Sequence, residues 1–242
     1  MQLRGKAAVV TGGSRGIGRA IVERLARDGA EVVFNYASSA AAAAEITATV
    51  EGTHGIRLDL AEPGAAERLM EMAEKRLGGL DILVNNAAMS FRVAPIADTD
   101  EAVFDDVMRV NAKTTFLTMR YAARHMRDDG RIVNISTVNT VRPAPGNAPY
   151  AASKGAIEQL TAVAARELGS RGITVNTVSP GATDTDLLRG TNPAEALERV
   201  ASVTALGRLG TPADIADVVA FLVGPDGRWM TGQNLRASGG LA

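Results

Sequence analysis

The 242 residues carry 26 basic and 27 acidic side chains, a formal charge of −1, with no block of either sign; this argues against nucleic acid or a membrane surface as partner. With no cysteine, disulfides, thiolate catalysis and thiolate metal sites are excluded, and the two separated histidines, His54 and His125, read as a strand-edge and a helix-surface residue rather than metal ligands. The length suits one large α/β domain over residues 1–242, with a closely packed core rich in alanine and glycine and poor in aromatics.

Ala7 to Val10 is a short apolar run that reads as a buried strand. It leads into Thr11-Gly12-x-x-x-Gly16-x-Gly18, and a helix follows with Ile17, Ile21 and Leu25 on one face. Val32 to Phe34 predicts the second strand, the alanine-rich run Ser39 to Val50 a helix, and Gly55 to Leu60 the third strand. A helix is expected from Pro63 to Leu77, with the proline near its first turn. Leu80 to Val84 reads as strand four and runs into Asn85-Asn86-Ala87-Ala88; the next helix carries Val103, Val107, Val110, Thr114 and Leu117.

Arg131 to Ile135 predicts strand five. A Pro/Gly-rich loop, Arg142 to Pro149, delivers Tyr150 to a helix with a stripe of Ile157, Leu160, Ala164 and Leu168. Ile173 to Val178 predicts strand six. From Pro180-Gly181 to about Leu209 the pattern weakens, as in a mobile surface loop that carries binding residues. Thr211-Pro212-Ala213-Asp214 has the form of a capping box opening a helix, and a last strand near Leu235 completes seven. No apolar run is long enough to span a bilayer and no signal peptide is visible, so a soluble, cytoplasmic protein is expected. The alternation predicts a single doubly wound Rossmann-type domain, a parallel seven-stranded sheet with helices on both faces. Ligands of such sheets bind beyond the carboxyl ends of the strands, and the special residues gather after strands one, four, five and six.

Tyr150 and Lys154 stand four apart, one turn from each other on a helix. An ammonium beside a phenol lowers its pKa and makes it a usable proton donor or acceptor near neutral pH. Alone, such a pair is more often two amphipathic surface side chains. Gly12, Gly16 and Gly18 between a strand and a helix let the backbone approach a pyrophosphate, with the free N–H groups of the helix start facing it. The end of strand two, Asn35, Tyr36, Ala37, Ser38, holds no carboxylate for a ribose hydroxyl, whereas Ser14 and Arg15 offer a hydroxyl and a guanidinium to a 2′-phosphate. That favours NADP(H).

Together, Thr11-Gly12-x-x-x-Gly16-x-Gly18, Asn85-Asn86-Ala87, Asn111, Tyr150-x-x-x-Lys154, Pro180-Gly181-x-x-x-Thr185, Gly232 and Gly239-Gly240 resemble the short-chain dehydrogenase/reductase family along the whole chain. The pattern is most similar to bacterial carbonyl reductases akin to 3-oxoacyl-carrier-protein reductase. The resemblance implies that Tyr150 is the general acid, that Lys154 lowers its pKa and holds the nicotinamide ribose, and that Asn111 holds a water in a proton relay. It implies that Asp59, with Leu60 beside it, meets the adenine, and that Asn86 and Ala87 meet the adenosine ribose side. Pro180, Gly181, Thr183 and Thr185 seat the nicotinamide end, and Ile17 completes the glycine turn. It also implies a homotetramer or homodimer built on the helices carrying Asn111 and Tyr150.

Three positions depart from the family pattern. Thr137 stands thirteen residues before the tyrosine, where the family has serine. Threonine keeps the hydroxyl and stiffens its rotamer; Ser136 replaces it only if the strand ends one residue out of register. Ala88 replaces a glycine, at some cost in stability if that position needs a positive φ. Thr140 stands where many relatives have glycine.

The expected activity is NADPH-dependent reduction of a ketone to an alcohol, reversible, on a small-molecule substrate. The expected pocket is lined by Ala88, Val138, Asn139 and a substrate loop at about 186–206. Other readings are 3-oxoacyl-thioester reduction, with Arg124, Arg127, Arg131 and Arg171 meeting an acidic carrier, a sugar or polyol dehydrogenase, and a catalytically silent NADP(H)-sensing protein. No metal ligand set is expected.

Overall fold

The computed structural model describes residues 2–242. Seven parallel strands, β1 Ala7–Val10, β2 Glu31–Tyr36, β3 Thr53–Arg57, β4 Ile82–Asn85, β5 Arg131–Ile135, β6 Thr174–Pro180 and β7 Asn234–Ala237, form one sheet in the order 3-2-1-4-5-6-7. The order reverses between β1 and β4, so the loops leaving those strands part and open a crevice at their carboxyl ends.

Successive strand residues point to opposite faces, and both faces are covered, which is why the strands read as unbroken apolar runs. Ala8, Val10, Val32, Phe34 and Val84 pack with Ile21 and Leu25 of α1 (Gly16–Arg27), Ile46 of α2 (Ala40–Thr49) and Ile215, Val219 and Leu222 of α9 (Pro212–Val223). Val9, Val33, Leu83 and Ile132 pack on the other side with Met70 of α3 (Ala65–Leu77), Met119 and Ala122 of α5 (Thr114–His125) and Leu168 of α6 (Ala148–Leu168).

Several boundaries differ from the sequence expectation. β3 begins at Thr53, earlier than Gly55, because Val32 to Tyr36 pair with Thr53 to Arg57; it is the edge strand, where polar side chains are tolerated. Pro63 precedes α3 instead of entering its first turn, since Gly64, at φ 73°, holds the cap position. The helix after β4 is α4 (Glu101–Val107) joined to α5 through a π-helical segment, Met108–Lys113, that contains Asn111. A π insertion rotates the side chains beyond it relative to those before it and is frequent at functional sites.

The weakly patterned stretch after β6 is largely helical: α7 Asp186–Thr191 and α8 Ala194–Val203. α7, at 6 residues, is too short to show a period, and α8 has one buried side chain, Leu197. Leu197 is buried, while Leu187, Val203 and Leu206 are exposed. Its ends are anchored, with Asp184 N–H donating to Gly210 O at 2.8 Å and Leu206 N–H to Gly239 O at 3.0 Å. α9 (Pro212–Val223) opens with the expected capping box of Thr211 and Asp214. His54 sits on edge strand β3 between Glu31 and Arg76, and His125 stacks on Tyr121 at 4.2 Å. Among the described residues no helix is long and apolar enough to cross a membrane.

Candidate active site

The turn after β1 is built from both sides. Gly12, at φ 66°, donates its N–H to Asn35 Oδ1 at 2.9 Å, and Gly13 donates to Asn35 O at 3.0 Å. From β4, the N–H groups of Asn86 and Ala87 donate to Thr11 Oγ1 at 2.9 and 3.0 Å, and Asn86 Nδ2 donates to the carbonyls of Thr11 and Gly12. A Cβ on Gly18 would stand 2.2 Å from Gly12 O, so only glycine lets α1 begin so close to the turn. Arg15 is the N-cap of α1 and no side chain caps that end. The first-turn N–H groups therefore face the crevice as an anion site.

Two residues expected at the ligand use their side chains within the turn. Asn35 is buried, accepts from Gly12 and donates through Nδ2 to Leu58 O at 3.0 Å. It shapes the turn. Asn86 likewise spends its amide on the turn. Arg15, by contrast, is exposed and has no hydrogen-bond or ion-pair partner among the described residues. Ala37 and Ser38 are exposed beside half-buried Tyr36, and Ser14 is buried. Asp59 is exposed and accepts from Ala61 N–H at 2.9 Å, a local turn contact. Leu60 is buried against Leu69 and Ala87, and Ile17 packs on the core.

At the end of β6, Pro180 pairs with Ala237, and Gly181 donates to Ala237 O at 3.0 Å. A Cβ on Gly181 would meet Ser238 Cα at 2.8 Å. Thr183 Oγ1 donates to Gly181 O at 3.1 Å. Thr185 caps α7, accepting from Leu188 N–H, and its methyl lies 3.3 Å from where a Gly16 Cβ would be. A cleft of about 290 Å³ lies there, lined in part by Gly16, Arg19, Thr185 and Pro212. A larger concavity, about 770 Å³, lies at the β3 edge around His54 and Arg76, away from these residues.

Thr137 leaves β5 in extended backbone and caps a short 3-10 turn, Val138–Thr140, accepting from Asn139 N–H at 3.2 Å. Its side chain is close enough to the Tyr150 phenol to influence its ionisation. Ser136 turns instead to Glu158, at 2.7 Å, so the strand register presents the threonine. Lys154 is 2 % exposed; its Nζ donates to Ile135 O at 2.7 Å and lies 5.7 Å from the centroid of the Tyr150 ring. Burial pushes the Lys154 ammonium down to about 8. Burial raises the Tyr150 phenol, and the Thr137 hydroxyl opposes that rise. The expected lowering of the phenol by Lys154 is therefore absent from this arrangement: desolvation of the phenol dominates, and the lysine directs its hydrogen bond to a strand carbonyl.

Asn111 is fully buried in the π-helical segment. Oδ1 accepts from Met89 N–H at 2.9 Å and Nδ2 donates to Ser153 Oγ at 3.0 Å, and Ser153 in turn donates to Tyr150 O at 2.8 Å. Phe91, in the loop after β4, stacks toward the Tyr150 ring at 6.4 Å. Ala88 is exposed and needs no positive φ, which among described non-glycine residues belongs to Asp129; the alanine costs no backbone strain. Val138 is buried, while Asn139 is half-buried.

Thr11, Phe91, Ser153 and Glu158 were not assigned from sequence. Thr11 has a signal, a hydroxyl closing an apolar strand, and Glu158 stands four beyond Lys154. Phe91 has none, because a loop has no period.

The family model described as enoyl-(acyl carrier protein) reductase matches residues 12–242. The chain is 41 % identical to an oxidoreductase of Methylorubrum extorquens, over 99 % of each chain. It is 38 % identical to the 3-oxoacyl-[acyl-carrier-protein] reductase of Vibrio cholerae, over 100 % of this chain and 99 % of that one. A short chain dehydrogenase from Burkholderia cenocepacia, solved in complex with NADP, superposes with a TM-score of 0.92 at 42 % identity, covering 100 % of this chain and 99 % of that one.

Proposed function

The chain belongs to the short-chain dehydrogenase/reductase family of oxidoreductases, and from that premise we propose that it reduces a ketone to an alcohol with NADPH, reversibly. The observation that carries the reading is the meeting of the Thr137 hydroxyl, the Tyr150 phenol and the buried Lys154 ammonium at the carboxyl end of β5.

The residues present fit a dinucleotide. The Gly18 position has no room for a side chain, the start of α1 is uncapped, Arg15 is exposed with its guanidinium unpaired among the described residues, and the segment that ends β2, with exposed Ser38, holds no carboxylate. Gly12, Ser14, Arg15, Gly16, Ile17 and Gly18 would hold the phosphates, with Tyr36, Ala37 and Ser38 at the 2′-phosphate end. Asp59, Leu60 and Ala87 would flank the adenosine, and Pro180, Gly181, Thr183 and Thr185 the nicotinamide. The complex of the Burkholderia relative with NADP supports this choice of cofactor.

The bound nicotinamide supplies the hydride for the substrate carbon. Tyr150, kept protonated at neutral pH by burial, gives its proton to the carbonyl oxygen. Thr137 donates a hydrogen bond to the same oxygen and fixes its direction. Lys154, titrating near 8, holds the ribose and returns a proton toward Tyr150. Asn111 uses one donor and one acceptor of its amide on protein; the remaining N–H and lone pair suit a buried water in that relay. Phe91 walls the side of Tyr150, which favours a substrate with an apolar or planar face.

Reduction of a carrier-bound 3-oxoacyl thioester draws support from the Vibrio cholerae relative. Its arginine patch is largely engaged: Arg127 pairs with Asp81, Arg171 with Asp128, and Arg131 caps the carbonyls of Asp129, Gly130 and Gly172. This reading therefore favours free ketones over a carrier-bound thioester. The test is NADPH against NADH consumption with diketones, β-keto esters and acyl thioesters, using wild type and Tyr150→Phe. NADPH turnover that Tyr150→Phe removes supports the reading. Tight NADPH binding with no turnover on any class would favour the silent binding protein.

A further inference from the structure

Resting on the reading in which Tyr150 and Thr137 act on one carbonyl oxygen, we propose that Glu158 is a positioning residue that sets the Thr137 hydroxyl against Tyr150 by clamping Ser136 and Thr140. A hydroxyl on a short 3-10 turn is placed only as firmly as the turn itself. Here the residues on both sides of Thr137 are held by one atom. Ser136 Oγ donates to Glu158 Oε1 at 2.7 Å, and Thr140 Oγ1 donates to the same oxygen at 2.8 Å. Thr140 Oγ1 also lies 3.0 Å from Thr137 O, so its single proton is shared between that carbonyl and the carboxylate.

Glu158 follows Lys154 by four positions on α6 and shares its face of the helix. One carboxylate thus ties the helix that carries Tyr150 and Lys154 to the turn that carries Thr137. Hydrogen bonds to a carboxylate are shorter and stronger than neutral ones, which suits a part that must not drift. Glu158 is half-buried and has no basic partner among the described residues, so ion pairing gives no reason for a carboxylate there. Thr140 completes the account. Its hydroxyl is one of the two donors.

The experiment is a double-mutant cycle between Glu158→Ala and Thr137→Ala, with steady-state kinetics, NADPH binding by fluorescence titration and thermal unfolding on each variant. Glu158→Ala is expected to lower kcat about tenfold or more, with the affinity for NADPH unchanged. Glu158→Gln keeps a carbonyl acceptor for both hydroxyls and is expected to recover kcat to within about threefold of wild type. In the Thr137→Ala background, Glu158→Ala is expected to cost less than about twofold more, because the group it positions is gone. Thr140→Val and Ser136→Ala, which each remove one donor, give smaller losses of the same kind and serve if Glu158→Ala does not fold. The proposal is overturned if the two losses multiply in full, if Glu158→Gln is as impaired as Glu158→Ala, or if kcat is untouched by the Glu158 and donor variants. Tyr150→Phe separates the two levels. If it stays active, the reductase reading itself fails; if it is inactive while Glu158→Ala behaves as wild type, only the clamp fails.

Discussion

Lys154 stands 5.7 Å from the centre of the Tyr150 ring and gives its hydrogen bond to the backbone oxygen of Ile135 at 2.7 Å. Its ammonium is thus buried against one strand carbonyl and held near 8, below its ordinary 10.5. Between those values the unfolded chain binds more protons than the folded one, so this residue makes the cofactor-free protein more stable as pH rises from about 8 toward 10.5. The charged, buried lysine is costly below that window and the cost disappears above it. Lys154→Met removes the titration. Urea unfolding of both proteins is expected to show the advantage of the variant shrinking by about 2 kcal/mol between pH 8 and 9.5. A difference that stays constant over that range would count against the placement of Lys154.

Tyr150→Phe keeps the ring and its packing on Phe91 and loses only the proton donor. Turnover is expected to fall by about 10²–10⁴ while NADPH still binds. Thr137→Ser should keep most activity, since the hydroxyl remains, and Thr137→Ala should lose about tenfold to a hundredfold in kcat/KM. Stopped assays with saturating NADPH decide both. Equal activity of Thr137→Ala and wild type would remove Thr137 from the mechanism.

Arg15 is an exposed cation without a partner, at the mouth of the glycine turn. A 2′-phosphate would gain a charge-assisted contact there, worth about 1.5–3 kcal/mol. Arg15→Ala is expected to raise the NADPH dissociation constant at least about tenfold and to leave NADH within about twofold. If titration shows both cofactors weakened alike, Arg15 does not read the phosphate.

Asn35→Ala tests the buried brace. It removes the acceptor for Gly12 N–H and the donor to Leu58 O, so stability should fall by about 1–3 kcal/mol. Affinity for NADH and NADPH should weaken together, because the turn is shared by both. A selective loss of NADPH in isothermal titration would instead place Asn35 at the 2′-phosphate.

Phe116 on α5 and Val163 on α6 are exposed apolar side chains on the helices that carry Tyr150 and follow Asn111. They support the proposed homotetramer or homodimer, which would cover them. Native mass spectrometry is expected to show one of those species, and Phe116→Glu should shift it toward a smaller one. A monomer in wild type would leave these faces without that explanation.

The alternation of apolar runs determined the sheet and its doubly wound cover, because it is a local pattern that repeats along the chain, and the glycine turn marked the crevice because its spacing is local too. Thr211-Pro212-Ala213-Asp214 foretold its own cap for the same reason. What the tertiary structure decided is which polar groups face outward. Asn35 and Arg15 both looked like ligand contacts, yet one is buried under Gly12 and the other is free. The π turn at Asn111, the helices hidden in 186–203 and the clamp of Glu158 on Ser136 and Thr140 were equally out of reach. Each depends on contacts between residues far apart in the chain, and burial, which moves Tyr150 and Lys154 in directions their spacing does not foretell, exists only once the fold has closed around them.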